Sequence, residues 1–462
     1  MADLNHLQSL LDSEAESLHV PGAAVGVLLD GADHVLTTGV TSVDAPAPVT
    51  GDTLFQIGST TKTLTATTIM HLVERGRLDL DGRVRRYLPG FRLADERAAA
   101  ELTIRHLLTH TGGFLGDIDD GESWDTSALA DSIGAYDQLP QLFPPGALAS
   151  YNNAGFRLLG RIVEVVCGEP YENAVRRVVL EPLGMNSSFF FPWEAATRPH
   201  AVGHAVREEG PRVAHTWGLF REGMAEGGLV SSVRDQLRYA AFHLGASGEA
   251  PVAAATRELM QAEHVRVGVP WTGIGLPWLL EEQAGVRLVT HGGNIGNLQL
   301  STFVLAPERG FAVTALTNSA SGKVLGKLVT DWCLEHLLDA KPQAVRLALR
   351  GPAPEYAGSY DAGQWTFEVD EGLTARFVLR PELVAAGVEG MPDMPLALVE
   401  GCDDVVIAAD PRQAVGRFLR DDAGEVAFLH LGGRAARRIG RHREDICRPV
   451  VAARTEPCAP MT

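Results

Sequence analysis

Lysine is nearly missing from this chain: of 40 basic residues only Lys62, Lys323, Lys327 and Lys341 are lysines, and the rest are arginines. Arginine keeps its proton near neutral pH, so a cationic side chain can serve as a base at these four positions only. Cysteine is scarce as well. Cys167, Cys333, Cys402, Cys447 and Cys458 are odd in number, widely spread and without a CxxC pair, which argues against a disulfide framework or a zinc knuckle. Positive charge is outweighed: the formal net charge is −18, which speaks against nucleic acid or an anionic membrane as the main partner. No apolar run approaches the ~18 residues of a membrane span. Met1-Ala2-Asp3-Leu4-Asn5-His6 lacks the basic and apolar segments of a secretory signal, so a cytoplasmic protein is expected.

What is present describes a globular chain, with 462 residues, 45% hydrophobic and 21% charged. That length suits one domain of over about 300 residues and a smaller second one. Leucines at 4, 7, 10 and 11 predict an amphipathic helix that stops at Pro21-Gly22. Ala23 to Leu29 and His34 to Gly39 flank Asp30-Gly31 as a hairpin. The middle is mostly helical, with a clear helix from Ala154 to Cys167 stopped by Gly168. Strands return at 286–290, 298–305 and 311–317, separated by His291-Gly292-Gly293, read as a turn, and by Pro307 to Gly310; a helix over 323–338 follows. The fold class expected is α+β/α/β: an antiparallel sheet flanked by helices, with an inserted helical lobe, over residues 1–340. Pro342, Gly351, Pro352 and Pro354 mark 341–355 as a linker. From 356 to 462 about eight short alternating segments predict a small antiparallel β-barrel, in which no residue cluster demands chemistry.

The stretch Phe55-Gln56-Ile57-Gly58-Ser59-Thr60-Thr61-Lys62 stands apart. Residues three apart share a helix face, so Ser59 and Lys62 point into the same space, and no other lysine has a serine three residues before it. A serine hydroxyl becomes a useful nucleophile when a desolvated lysine takes its proton. Two further clusters accompany the pair: Tyr151-Asn152-Asn153, which opens the 154–167 helix, and His291-Gly292-Gly293-Asn294.

In these three clusters the sequence resembles the serine β-lactamases, penicillin-binding DD-peptidases and their relatives, on the class C side, over about 20–338. Ser59-Thr60-Thr61-Lys62 matches that group's Ser-x-x-Lys and Tyr151-Asn152-Asn153 its Tyr-x-Asn, while His291 replaces the lysine of Lys-Thr-Gly. Thr103 to Gly113 is similar to a signature of the β-lactamase-related hydrolases. The resemblance implies a β-lactamase/transpeptidase-like fold and the following roles. Ser59 is acylated, Lys62 and Tyr151 act as the base, and Tyr151 protonates the leaving group. Asn153 bonds Lys62 and the acyl amide, and the Ser59 and Asn294 amides hold the oxyanion. Gly292 and Gly293 let substrate lie against the strand. His291 is a neutral hydrogen-bonding group that puts true β-lactamase activity in doubt.

The expected protein is therefore a serine hydrolase without metal or cofactor, acting on an ester or a small peptide amide, with a C-terminal lipocalin-like domain. Two rivals stay open. Stand-alone peptide cyclases of the penicillin-binding-protein-type thioesterase group share this layout, so acyl transfer to an amine is one; a silent binding module is the other. Oligomeric state is left open. His106 and His110 are read as structural, the acidic run Asp117 to Glu122 as a solvated loop, and Trp124, Trp217 and Trp271 as packing residues or cleft lining.

Overall fold

The computed structural model describes all residues except 1–3, 119–120, 208, 247, 269, 342–346, 349–352, 364, 380–392, 400–403, 408–413, 422 and 440–462. Cys402, Cys447 and Cys458 lie outside the described residues; Cys167 and Cys333 are free.

The first domain is built on one eight-stranded antiparallel sheet. Its strands are β1 (Gly22–Leu29), β2 (Ala32–Gly39), β3 (Val265–Arg266), β4 (Gly273–Ile274), β5 (Leu279–Gln283), β6 (Val286–Ile295), β7 (Gln299–Ala306) and β8 (Phe311–Thr317), in the spatial order β2-β1-β8-β7-β6-β5-β4-β3. The N-terminal hairpin thus pairs with the last strand, β1 against β8. Strand β1, Gly-Ala-Ala-Val-Gly-Val-Leu-Leu, is apolar at every position because both faces of the sheet are covered. Helices α1 (Leu4–Ser17) and α4 (Gly322–Leu338) cover one face through Leu7, Leu11, Leu325 and Val329. The helical lobe covers the other face.

At the centre of the lobe is α2 (Thr61–Glu74), buried over nearly its whole length. Its threonines are poor helix formers, yet their hydroxyls are satisfied inside the protein: Thr63, Thr67 and Thr68 donate to carbonyls three or four residues back, and Thr65 and Thr67 also meet Tyr171 and Tyr239. Tertiary packing, not propensity, holds this helix. Helix α3 (Asn153–Cys167) starts at Asn152, whose Oδ1 accepts from the Gly155 N–H at 2.6 Å, and ends at Gly168 in the left-handed conformation.

One expectation fails in the sheet. His291-Gly292-Gly293 is no turn but lies within β6, paired with Phe303, Thr302 and Ser301; the chain turns later, at Gly296 and Asn297, both at positive φ.

The second domain is a curled antiparallel sheet, with ten strands among the described residues. Met394–Pro395 pairs with Thr374–Leu379 at one end of the strand order, and Ala397–Val399 pairs with Val405–Ile407 at the other, so the segment 394–399 serves both ends. The expected linker is partly structured: Leu347–Ala348 pairs with Ala397–Val399, and Ala353 sits in the second domain's core. The hairpin formed by Val426–Leu431 and Arg434–Arg438 docks on the first domain beside α3. Phe428 meets Phe143 edge-on, and the Tyr151 N–H donates to the Gly433 carbonyl at 2.8 Å. No helix among the described residues is long and apolar enough to cross a membrane.

Candidate active site

A 3-10 turn, Gly58–Thr60, leads into α2 and presents Ser59. Lys62, fully buried one turn on, donates to Ser59 Oγ at 3.0 Å and to the Glu226 carbonyl at 2.6 Å. Burial is the main force on its ammonium and brings its pKa to about 7; Glu226 opposes this and Arg434 adds to it. Lys62 therefore spends much of its time as the free amine at neutral pH, within reach of the serine proton. Behind it, the buried Arg157 and Glu226 form an ion pair at 2.7 Å that anchors the short helix Met224–Gly227 carrying that carbonyl.

Tyr151 enters from the loop before α3, with Lys62 Nζ 5.1 Å from its ring centre and its hydroxyl bonded to Ser59. Burial pushes the phenol upward, and the Ser59 bond and Arg434 do not offset it. The neighbouring cations do not make a phenolate here, contrary to the simplest expectation. Burial thus holds Tyr151 in its protonated form, with a hydroxyl able to donate.

Strand β6 closes the other side. Its close approach to the serine turn explains the paired glycines: a Cβ on Gly293 would stand 1.8 Å from the Ile57 carbonyl oxygen, and one on Gly58 2.7 Å from the Asn294 nitrogen. Gly293 is thus demanded by the protein's own backbone, whereas Gly292 faces open space apart from the Ser301 carbonyl at 3.2 Å. The Asn294 side chain is used in the turn with Asn297, at 2.7 and 2.8 Å, and its backbone nitrogen lies close to Gly58, the residue before the serine. His291 is buried, with Nδ1 2.8 Å from the Gly292 carbonyl. Burial, then Lys62, lowers its pKa to about 3, so it is neutral as expected.

Asn153 departs from expectation. Its Nδ2 donates to Asp117 at 2.8 Å instead of meeting Lys62, and its Oδ1 is buried without a partner. Asp117 is itself gripped by Arg434 of the second domain, Nε to Oδ2 at 2.5 Å and Nη2 to Oδ1 at 3.0 Å. Burial works against this carboxylate, but Arg434 and Asn153 hold it below the usual range. The guanidinium lies 5.2 Å from the Tyr151 ring centre. The sequence assigns neither residue a role: Asp117 reads as part of a solvated loop near the rim of the site, and Arg434 lies in a domain where nothing points to chemistry. The one available signal was Gly432-Gly433 before Arg434, a tight turn between strands whose second glycine packs against Trp271, where a Cβ would lie 2.3 Å from the indole.

His110 is in the site too. It stacks on Tyr151 with ring centres 4.4 Å apart, and its Nδ1 accepts the Asn152 N–H at 3.0 Å. His106 instead caps its own helix with Thr103. Of the tryptophans, Trp271 lines the cleft, while Trp124 packs with Phe220 and Trp217 with a small cluster at Leu54. The cleft holds about 630 Å³ and brings Ser59, Tyr151, Asn153, His291, Gly292, Gly293, Asn294 and Arg434 to one space.

A family model described as beta-lactamase matches residues 7–331. Penicillin-binding protein 4 of Amycolatopsis lactamdurans is 36% identical over 343 residues, covering 71% of this chain and 88% of that protein. Esterase EstB of Burkholderia gladioli is 30% identical over 332 residues, 63% of this chain and 83% of the esterase. Among solved structures, SurE superposes with a TM-score of 0.76 at 29% identity, covering 94% of this chain and 99% of SurE, and a structure of SurE with D-Leu gives 0.74 at 28%. The likeness to SurE thus extends through the second domain, beyond the last residue matched by the family model.

Proposed function

The chain belongs to the beta-lactamase family, and from that premise we propose that it is a serine acyl-enzyme catalyst acting on esters or amides that contain a D-amino acid. The observation that carries this is Lys62 Nζ at 3.0 Å from Ser59 Oγ with a pKa near 7. The lysine amine takes the serine proton as Oγ bonds the carbonyl carbon. The carbonyl electron pair moves to oxygen, which the Ser59 and Asn294 amides face. Collapse of this intermediate expels the leaving group, which receives the proton from Lys62 through the Tyr151 hydroxyl. Water then attacks the acyl carbon and gives a proton to Lys62, which passes it to the Ser59 oxygen as the ester bond breaks, restoring the serine hydroxyl and the free amine. The name of the relative EstB supports an ester, and the D-Leu in a SurE structure supports the D configuration.

A second reading, transfer of the acyl group to an amine, is favoured by the position of the second domain. Its hairpin bonds the Tyr151 backbone and places Arg434 in the cleft, which reduces the approach of water to acyl-Ser59. Incubation with D-leucine methyl ester, D-leucine amide and a peptidyl thioester ending in D-Leu, each with and without added amine, tests both readings. A mass increase on the peptide containing Ser59, absent in Ser59→Ala, is expected. Turnover by Ser59→Ala, or a serine-directed phosphonate attached elsewhere, would overturn the acyl-enzyme assignment. The ratio of aminolysis to hydrolysis product separates the two fates.

A further inference from the structure

The cleft does not end at the catalytic residues. It wraps round the edge of β6 at Gly292 and continues between the outer face of β5, β6 and β7 and helix α4, where Glu281, Thr290, Lys323, Lys327 and Asp331 line it. Register fixes that geometry: Leu279 faces Thr290, Glu281 faces Leu288 and Gly292 faces Thr302, so these positions share the face opposite His291. Glu281 lies five residues along the strand from Gly293, roughly 17 Å at 3.4 Å per residue.

We propose that Glu281 and the groove around it form a second binding arm, which takes an ammonium or guanidinium group carried by a peptide or amine ligand held at Ser59. The half-buried Glu281 carboxylate accepts a hydrogen bond from Thr290 Oγ1 at 3.1 Å and has no cation within ion-pair distance among the described residues. The nearest lysine on α4 is already engaged, Lys327 with Asp331 at 3.0 Å, and Lys323 is exposed and screened by solvent. Burial pushes the Glu281 carboxyl upward, and neither Thr290 nor Lys327 restores it. A desolvated carboxylate facing open space in a substrate cleft is recovered by a cation from the ligand, not from the protein.

This inference rests on the reading of Ser59 as the acyl-bearing residue, since that reading puts a ligand in the cleft. It is tested by binding, without turnover. In the Ser59→Ala protein, calorimetry compares linear pentapeptides with D-Leu at the centre that carry lysine, or its uncharged isostere norleucine, at the first or the last position. One of the two lysine peptides is expected to bind about tenfold more tightly than its norleucine twin, as for a hydrogen-bonded charge pair. Glu281→Gln in the same background should bring that ratio close to one. Each ratio is read within one protein, so a general loss of fold cancels. No lysine preference at either end, no binding of any of the peptides, or a preference that survives Glu281→Gln, overturns the proposal. Failure to trap acyl-Ser59 in the wild type would instead strike the functional reading.

Discussion

Arg434 and Asp117 lie 317 residues apart in the chain and form a two-pronged ion pair between the two domains. The pair is an electrical part of the active site: Arg434 lowers the Lys62 pKa and Asp117 raises it. Removing the arginine leaves the carboxylate uncompensated beside Lys62, so the proton is held more tightly. Arg434→Ala should move the acid limb of kcat/KM to higher pH, because the free amine is the active form and appears later on the pH scale. Asp117→Asn should move it the other way. pH profiles of the three proteins on one neutral ester decide this; coincident limbs would mean that the pair only joins the domains.

Lys62 itself sets the second prediction. Activity should fall as pH drops through about 7, where the buried amine takes up a proton. Lys62→Arg keeps a cation but cannot accept that proton, so kcat/KM should drop by about 100-fold or more and the limb near neutrality should vanish. A variant that keeps a tenth of the activity would make Lys62 an electrostatic group only.

Much of this was open to reading in the sequence. Periodic apolar positions gave α1 and α3 nearly to the residue, and Ser59 with Lys62 followed from helix spacing and the scarcity of lysine. What was not legible depends on contacts between distant segments. Gly292-Gly293 resembled a turn because paired glycines usually mark one, while the real demand on Gly293, the Ile57 carbonyl, is more than 200 residues away in sequence; the Ser301 bond to that same carbonyl spans 244. Asp117 and Arg434 sit in a loop and next to a hairpin turn, where no periodicity reports which way a side chain points. The hydrogen bond that Lys62 makes to Glu226 goes to a backbone carbonyl, which residue identity does not encode.

The Arg157–Glu226 pair predicts a stability change. Both side chains are nearly inaccessible, 1% and 7% exposed, so Glu226→Gln removes a charged partner from a buried guanidinium. Such one-sided loss typically costs about 3–5 kcal/mol. Urea unfolding followed by tryptophan fluorescence should show the first domain's midpoint fall, and Arg157→Met with Glu226→Gln should recover part of it. Equal midpoints for wild type and Glu226→Gln would show that the pair carries no net stabilisation.

Charge selectivity gives the last prediction, and the structure changes its form. His291 alone leaves the cleft without the fixed cation that a lysine there would supply, which predicts slow β-lactam turnover and a preference for neutral acyl chains. Arg434 supplies a cation from the other wall, but one already held by Asp117, so a ligand carboxylate must displace that partner to use it. Wild type should therefore accept a carboxylate-bearing substrate less well than its methyl ester, and a chromogenic cephalosporin poorly. Asp117→Asn frees the guanidinium and should shift the ratio toward the carboxylate by about tenfold, the scale of one charge-assisted hydrogen bond. Arg434→Gln should abolish that gain when combined with Asp117→Asn. His291→Lys puts a second ammonium next to Lys62, whose charge already depresses His291, so it should move the acid limb to lower pH, as Asp117→Asn does, while tilting the ratio toward the carboxylate. Steady-state kinetics on the acid and ester pair across these variants separates the two sources of charge. A ratio that follows His291→Lys but ignores Asp117→Asn would place selectivity on β6 alone and remove Arg434 from substrate recognition.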